Sequence, residues 1–238
     1  MIPSVQIDGP LGPFAIPAEP ADTQRICAGL SRGVWGFPGA YDWPEARVPE
    51  YEHPALTIPG IRRILDVGAG WGAFAVWAVA RWGHEIELDC YEPSTKAADF
   101  IFQNLFSPVT RLSPTSFAVR IHRVAVSVTP EVVLGHSLDW GSRKTHLRTE
   151  GHAGDGVATL HPQLLPPCDI LKCDAEGIEP ELFLNYPHLA SVKAAIYEWH
   201  SPDHRASLGD LCERAGLHCV RDEDGPWGGG NGVGIWVR

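Results

Sequence analysis

The chain has 238 residues, 44% apolar and 20% charged, a balance that fits one well-buried globular domain better than a disordered chain or two full domains. Acidic residues outnumber basic ones 29 to 19, for a formal charge of -10. That disfavours nucleic acid as a partner, because affinity for its backbone comes from clustered Lys and Arg. No apolar run approaches the roughly 18 residues that span a bilayer. The first residues lack the basic and then apolar pattern of a leader, and no pair among the six cysteines has CxxC spacing. These features lead us to expect a cytoplasmic protein with reduced thiols and no membrane partner.

Residues 1–60 hold ten of the 21 prolines, a density that forbids long helices and central strands. They also carry Phe14, Trp35, Phe37, Tyr41, Trp43 and Tyr51. A disordered tail is seldom so aromatic. The segment therefore reads as an ordered extension covering a core domain at 61–238, with room for one short helix near 23–30.

From Ile61 the pattern changes. IRRILDV reads as a buried strand ending in a glycine-rich turn, and a helix from Gly72 to Trp82 is closed by Gly83. IELDCYE is a second strand. Ser94 or Thr95 caps a helix running through Leu105, with Ala97, Ile101 and Leu105 on one stripe. FAVRIHRVAVS reads as a third strand, EVVLGHS as a short extra strand, and residues 136–156 as a locally basic loop. CDILKCD is a further strand, followed by a turn and a short helix ending near Tyr186. KAAIYEW comes next, and then a helix opened by Ser201 and Pro202 and closed by Gly216. LHCVR and GVGIWVR form a final antiparallel pair. Strands and helices in alternation imply right-handed crossovers and a mostly parallel sheet covered on both faces.

The sharpest local feature is Asp66-Val-Gly68-Ala-Gly70-Trp-Gly72, which follows a strand and opens a helix. Glycines there let backbone approach a ligand, and free amides at a helix start favour polar or anionic groups. Glu92 ends the second strand, placed to accept hydrogen bonds from both hydroxyls of a ribose. A nucleoside-containing ligand across the strand C-termini is the reading. Gly68, Gly70 and Ala73 also satisfy G-x-G-x-x-A, so the glycines alone do not separate a nicotinamide cofactor from S-adenosylmethionine. Asp66 suits a cationic, amino-acid-bearing ligand better than a pyrophosphate. Neither a Tyr-x-x-x-Lys pair nor a G-x-x-x-x-G-K-[ST] loop is present.

ILDVGAGWGAF at 64–74, CYEPSTKAADFIFQNL at 90–105, RVAVS at 123–127, DILKCDAEGIEPELF at 169–183 and IYEWH at 196–200 together resemble the FkbM-type class I S-adenosylmethionine-dependent methyltransferases. The most specific element is Lys172, Asp174, Glu176 and Gly177. The resemblance covers roughly residues 60–200. It implies an α/β, Rossmann-like class I methyltransferase fold, a mostly parallel seven-stranded sheet with an antiparallel last strand. It also implies methyl transfer, most often to an oxygen of a secondary metabolite or sugar. By the same resemblance Asp66, Gly68, Gly70 and Glu92 hold the S-adenosyl-L-methionine cofactor, within a surface that includes Ala69, Pro93 and Ala125. Asp174 sits near its methionine end. Trp71 lies within the cofactor turn and can pack on the ligand. Two departures stand out: Gly70-Trp71 where the family commonly has Asn between its glycines, and Leu160-His161 where it has Leu-Asp.

Methyl transfer is an in-line displacement, accelerated largely by alignment, and a hydroxyl acceptor also needs a base. The candidate catalytic residues at strand ends are Asp174, Glu176, Glu198 and His200. Glu176 and Gly177 serve equally to shape the turn, and His200 reads more readily as a capping or surface residue. Pro202 between His200 and His204 disfavours a metal pair. A divalent ion on Asp174 and Glu198 is the lesser reading, and with no dedicated cage in the sequence no metal is assigned. The expected partner is a small-molecule acceptor, and a homodimer is compatible with the sequence.

The other function classes are an NAD-dependent oxidoreductase and a non-catalytic nucleoside-binding module. Gly29-Leu-Ser31-Arg-Gly33 matches the G-x-S-x-G elbow of serine hydrolases, but it precedes the sheet and follows no convincing strand. Asp-Ala-Glu-Gly at 174–177 differs from the Pro-Pro element that holds a nucleobase amino group. Among the nine Trp, Trp77, Trp82 and Trp236 read as core, and Trp199 as a strand end at the site's edge. Trp35, Trp43, Trp140 and Trp227 read as buried anchors or as the lining of an acceptor pocket.

Overall fold

The structure, a computed structural model, describes Tyr51 and residues 53–106, 118–130, 156–224 and 230–238. It also describes the backbone of the strands Ser4–Gly9, Gly12–Pro17, Val132–His136 and Thr145–Arg148. Seven strands build the main sheet: β1 Arg63–Val67, β2 Glu87–Tyr91, β3 Ala118–His122, β4 Ile170–Cys173, β5 Ala194–Trp199, β6 His218–Asp224 and β7 Gly232–Val237. Their order across the sheet is β3-β2-β1-β4-β5-β7-β6. β7 runs antiparallel to both neighbours, and every other described pairing in the main sheet is parallel. This is the Rossmann-like class I methyltransferase arrangement that the sequence implied.

Among the described residues, four α-helices connect the strands: α1 Ala73–Trp82, α2 Thr95–Phe106, α3 Glu179–Asn185 and α4 Pro202–Arg214. The two-residue period of a strand sends neighbouring side chains to opposite faces, so the sheet supports two cores. Ile64, Leu88, Ile170 and Ile196 pack beneath α1 and α2 with Phe74, Trp77 and Ile101. Leu65, Leu171, Ala195 and Tyr197 pack on the other face with Leu182, Phe183 and Leu208 of α3 and α4. Tyr51 and Leu56 join the first core, Tyr51 meeting Phe74 edge-on at 5.2 Å.

Local signals hold where the sequence placed them. Ser94 Oγ accepts the Ala97 amide at 3.3 Å at the start of α2. Ser201 Oγ accepts the His204 amide at 3.1 Å, with Pro202 in the first turn of α4. Gly83 ends α1 at φ 75°, its amide returning to the Val79 carbonyl. Cys90, Cys168, Cys173 and Cys212 are buried free thiols. No described helix is long and apolar enough to cross a membrane.

Three expectations change. The expected third strand breaks after His122. Its second piece, Ala125–Val126, leaves the main sheet to pair in parallel with Thr159–Leu160. The segment read as a loop at 136–156 contains the strand Thr145–Arg148, which pairs with Val132–His136 beside Gly156–Val157. Its basic residues hid a β pattern too short to read by alternation. In the extension, Ser4–Gly9 and Gly12–Pro17 form a hairpin, local pairing that proline permits because no central ladder is needed. The expected helix near 23–30, the Gly29–Gly33 motif, Trp35, Trp43, Trp140 and Trp227 lie outside the described residues.

Candidate functional site

The turn between β1 and α1 is built by the strands beside it. The Gly68 and Ala69 amides both donate to the Tyr91 carbonyl of β2, at 3.0 and 3.2 Å, and the Gly72 amide donates back to Ala69 at 2.9 Å. Gly68, at φ 70°, is required by the neighbouring chain: a Cβ there would fall 1.8 Å from the Asp174 carbonyl oxygen. Gly70 differs. Its φ is 53°, yet nothing lies within 4 Å of where its Cβ would point. Of the motif's glycines, Gly70 is the one that faces open space.

Glu92 lies one residue beyond β2 and closes the other side of this turn. Its Oε2 accepts the Gly70 amide at 2.8 Å and its Oε1 accepts the Ser94 amide at 2.8 Å. The residue is only 6% exposed. Burial drives its carboxyl up to about 7, against the pull of those two amides and of Lys172. Each carboxylate oxygen has two acceptor directions, so one remains on each for a pair of hydroxyl donors.

Asp66 is fully buried on β1, one strand position from the turn. Lys172 of β4 stands beside it, Nζ 2.9 Å from Asp66 Oδ1, and donates to the Gly68 carbonyl at 2.7 Å. Burial pulls the lysine down, but Asp66 and Asp174 outweigh it and hold Lys172 above its ordinary value. Burial raises Asp66, and Lys172 pulls it back. Among the described residues Asp66 Oδ2 has no hydrogen-bond donor. Asp66 thus acts on the glycine turn through Lys172. That role is written in the sequence only as a lysine inside the apolar strand CDILKCD, a charge that has to find a partner when buried.

The turn after β4 wraps around a buried carboxylate. Glu179, at the start of α3, is 0% exposed and accepts the Ala175 amide at 2.7 Å and the Gly177 amide at 2.9 Å. Between those amides Glu176 adopts φ 57°, the left-handed region that non-glycine residues seldom enter. His200, just beyond β5, faces the same carboxylate, Nε2 3.5 Å from Glu179 Oε1. Burial lowers the imidazole, but Glu179 outweighs it, aided by Glu176 and Asp174, so the net direction is up.

Asp174, Glu198 and His200 converge at the ends of β4 and β5. One ligand-capable atom from each lies within 4.8 Å of the others, and all three residues are half-buried. Asp174 Oδ2 is 4.0 Å from Lys172 Nζ. A narrow recess, too tight to admit a water molecule, is lined here by Asp174 and Glu198 together with Tyr51, Lys172, Tyr197 and Val233. Tyr51 brings the end of the extension to this recess.

The structure therefore gathers Gly68, Ala69, Gly70, Trp71 and Glu92 in one corner, and Asp174, Glu176, Glu198 and His200 in the next. Gly68 touching Asp174 joins the two. Trp71 is half-buried, its carbonyl accepting from Asn104 at 2.9 Å, and Pro93 is half-buried beside Glu92. Ala125 is buried in its short strand. Trp199, read as a site-edge residue, is 2% exposed. Its indole donates to Asp222 at 3.0 Å and Arg205 stacks on its ring at 4.9 Å, so it is an anchor of the fold. His204 stands outside the convergent trio.

No family model and no curated protein matches the chain. Among solved structures it is similar to a putative methyltransferase from Thermoplasma acidophilum, at 11% identity over 76% of this chain and 69% of the other, with a TM-score of 0.43. It is similar to precorrin-6y C5,15-methyltransferase from Geobacter metallireducens, at 13% identity over 77% and 85%, TM-score 0.43. It is similar to Aeropyrum pernix fibrillarin in complex with natively bound S-adenosyl-L-methionine, at 10% identity over 79% and 70%, TM-score 0.45. The strand order with its inserted antiparallel β7 is what assigns the fold.

Proposed function

We propose that the protein is an S-adenosylmethionine-dependent methyltransferase of the FkbM type, acting in the cytoplasm on an oxygen of a small-molecule acceptor. The observation that carries this reading is Glu92: a buried carboxylate at the C-terminal end of β2, tied to the Gly70 amide, with acceptor capacity left on both oxygens. Those groups fit a ribose diol. The open space in front of Gly70 fits a ligand passing over the turn.

In this reading Glu92, Gly70, Ala69, Trp71, Pro93 and Ala125 hold the nucleoside half of the cofactor, and Asp174 holds its amino-acid end. Asp66 keeps the turn in shape through Lys172. Bound there, S-adenosylmethionine supplies an electrophilic methyl group on a cationic sulfonium. The carboxylates of Asp174, Glu176 and Glu198 suit a cationic neighbour, and their oxygens and the His200 imidazole are the groups that accept a proton from an acceptor hydroxyl. Fixing the acceptor between β4 and β5 restricts its approach, which is where most of the acceleration in a displacement arises. Of the extension expected to cover this face, Tyr51 is described and lines the recess.

Calorimetry with S-adenosylmethionine, S-adenosylhomocysteine and NAD tests the reading. Binding of the first two and not of NAD is the expected result. Binding of NAD alone overturns it in favour of an oxidoreductase, and binding of none overturns the cofactor site.

A further inference from the structure

We infer that Asp174, Glu198 and His200 form a divalent-cation site, one that would present the cation to an acceptor carrying two adjacent oxygen atoms. The acceptor part rests on the methyl-transfer reading; the cation part rests on the side chains alone.

The donor set comes from two separate strand ends. β4 delivers Asp174, and β5 delivers Glu198 and His200 on the two sides of the buried Trp199, with ligand atoms no more than 4.8 Å apart. Donors about 2.1 Å from a common cation stand roughly 3–4 Å apart, so closure by about 1 Å completes three protein ligands. Half-buried side chains at a recess can make that adjustment by rotation.

A second observation, outside the trio, concerns the imidazole. Glu179 is wholly buried, with both oxygens fixed by backbone amides, and it stands 3.5 Å from His200 Nε2. Metal-bound histidines commonly have the ring held by such a carboxylate, which fixes its orientation and raises its basicity. Here the carboxylate is locked before any ligand arrives. The recess beside Asp174 and Glu198 is too tight to admit a water molecule as it stands, so the further oxygen ligands that a cation with three protein donors keeps for water or substrate enter only as the same side chains rotate.

Two carboxylates and one imidazole form a mixed oxygen and nitrogen set. That favours a first-row divalent ion such as manganese over calcium, which takes oxygen donors throughout. Two such coordination positions side by side would be filled best by vicinal hydroxyls or a similar oxygen pair. The acceptor class is therefore an oxygen chelator, a narrower class than alcohols at large.

Manganese(II) is the probe. Titrated into the full chain and followed by loss of the free-ion EPR signal, it should fill one site with micromolar affinity. Pulsed EPR should show coupling to one imidazole nitrogen. Glu198→Gln should weaken binding at least tenfold, and His200→Gln should abolish the nitrogen coupling. Both variants should keep the cooperative thermal melt of the native chain, which shows that they fold. Absence of a site tighter than about 1 mM in the native chain overturns the proposal, as does binding unchanged in both variants. Cofactor binding without manganese binding refutes the cation site alone. Manganese binding without cofactor binding supports the site while refuting methyl transfer.

Discussion

Glu92→Gln is the substitution that best separates a carboxylate kept for a ligand from one kept for the fold. In the folded chain burial lifts the Glu92 carboxyl from 4.5 to about 7. That interval corresponds to about 3 kcal/mol. Because the folded state holds this proton more tightly than the unfolded state, the native chain has its full stability below about pH 4.5. It loses that increment as the pH rises through about 7. Glutamine imitates the protonated acid at every pH: one acceptor oxygen, with a donor opposite the other amide. The variant should therefore match the native chain within about 1 kcal/mol near pH 4.5. It should be the more stable of the two by about 3 kcal/mol at pH 8. Urea unfolding of both proteins from pH 4.5 to 8 measures the difference and cancels the other titrating groups. S-adenosylhomocysteine affinity should move the opposite way, at least tenfold weaker in the variant at pH 8, since hydrogen bonds to a charged acceptor contribute about 1.5–3 kcal/mol. Parallel stability curves would refute the burial argument. An unchanged affinity would remove Glu92 from the ribose role.

Lys172→Met leaves Asp66 without its ammonium partner and should cost about 3–5 kcal/mol in urea unfolding; exchanging both residues for Leu and Met should recover most of it. Gly68→Ala drives a Cβ against the Asp174 carbonyl and should cost about 4 kcal/mol or more, or abolish soluble expression. Gly70→Ala meets only a backbone cost of about 1–2 kcal/mol, so a thermal melt of the two alanine variants should separate them clearly, while cofactor binding suffers in both. Glu179→Ala strands two buried amides at about 1–3 kcal/mol each, and hydrogen exchange should accelerate first at Ala175 and Gly177.

Much of the frame was legible because its signals are local. The apolar runs in IRRILDV and IELDCYE, the turn glycines, and the Ser201-Pro202 cap each lie within a few residues of what they determine. Glu92 was legible for the same reason, since a strand end fixes its height in the sheet. What escaped depends on contacts between distant segments. Lys172 meets Gly68 across 104 positions. Glu179 stands in the first turn of a short helix, and only the fold places it under His200. Trp199 ends β5 as read, but its burial depends on Gly232, where a Cβ would lie 2.3 Å from its ring. The strand Thr145–Arg148 has four residues, too little alternation to register.

The single ammonium of Lys172 reaches Gly68 in one corner of the site and stands 4.0 Å from Asp174 in the other. Any ligand that draws on the Asp174 charge loosens that carboxylate's hold on the lysine and leaves more of it for Asp66 and the glycine turn. Linkage makes the exchange mutual: occupancy over Gly70 must alter affinity at Asp174 by the same factor as the reverse. Two neighbouring corners of the site that share one buried cation would then fill as a correlated pair, with neither affinity a fixed constant of its own corner.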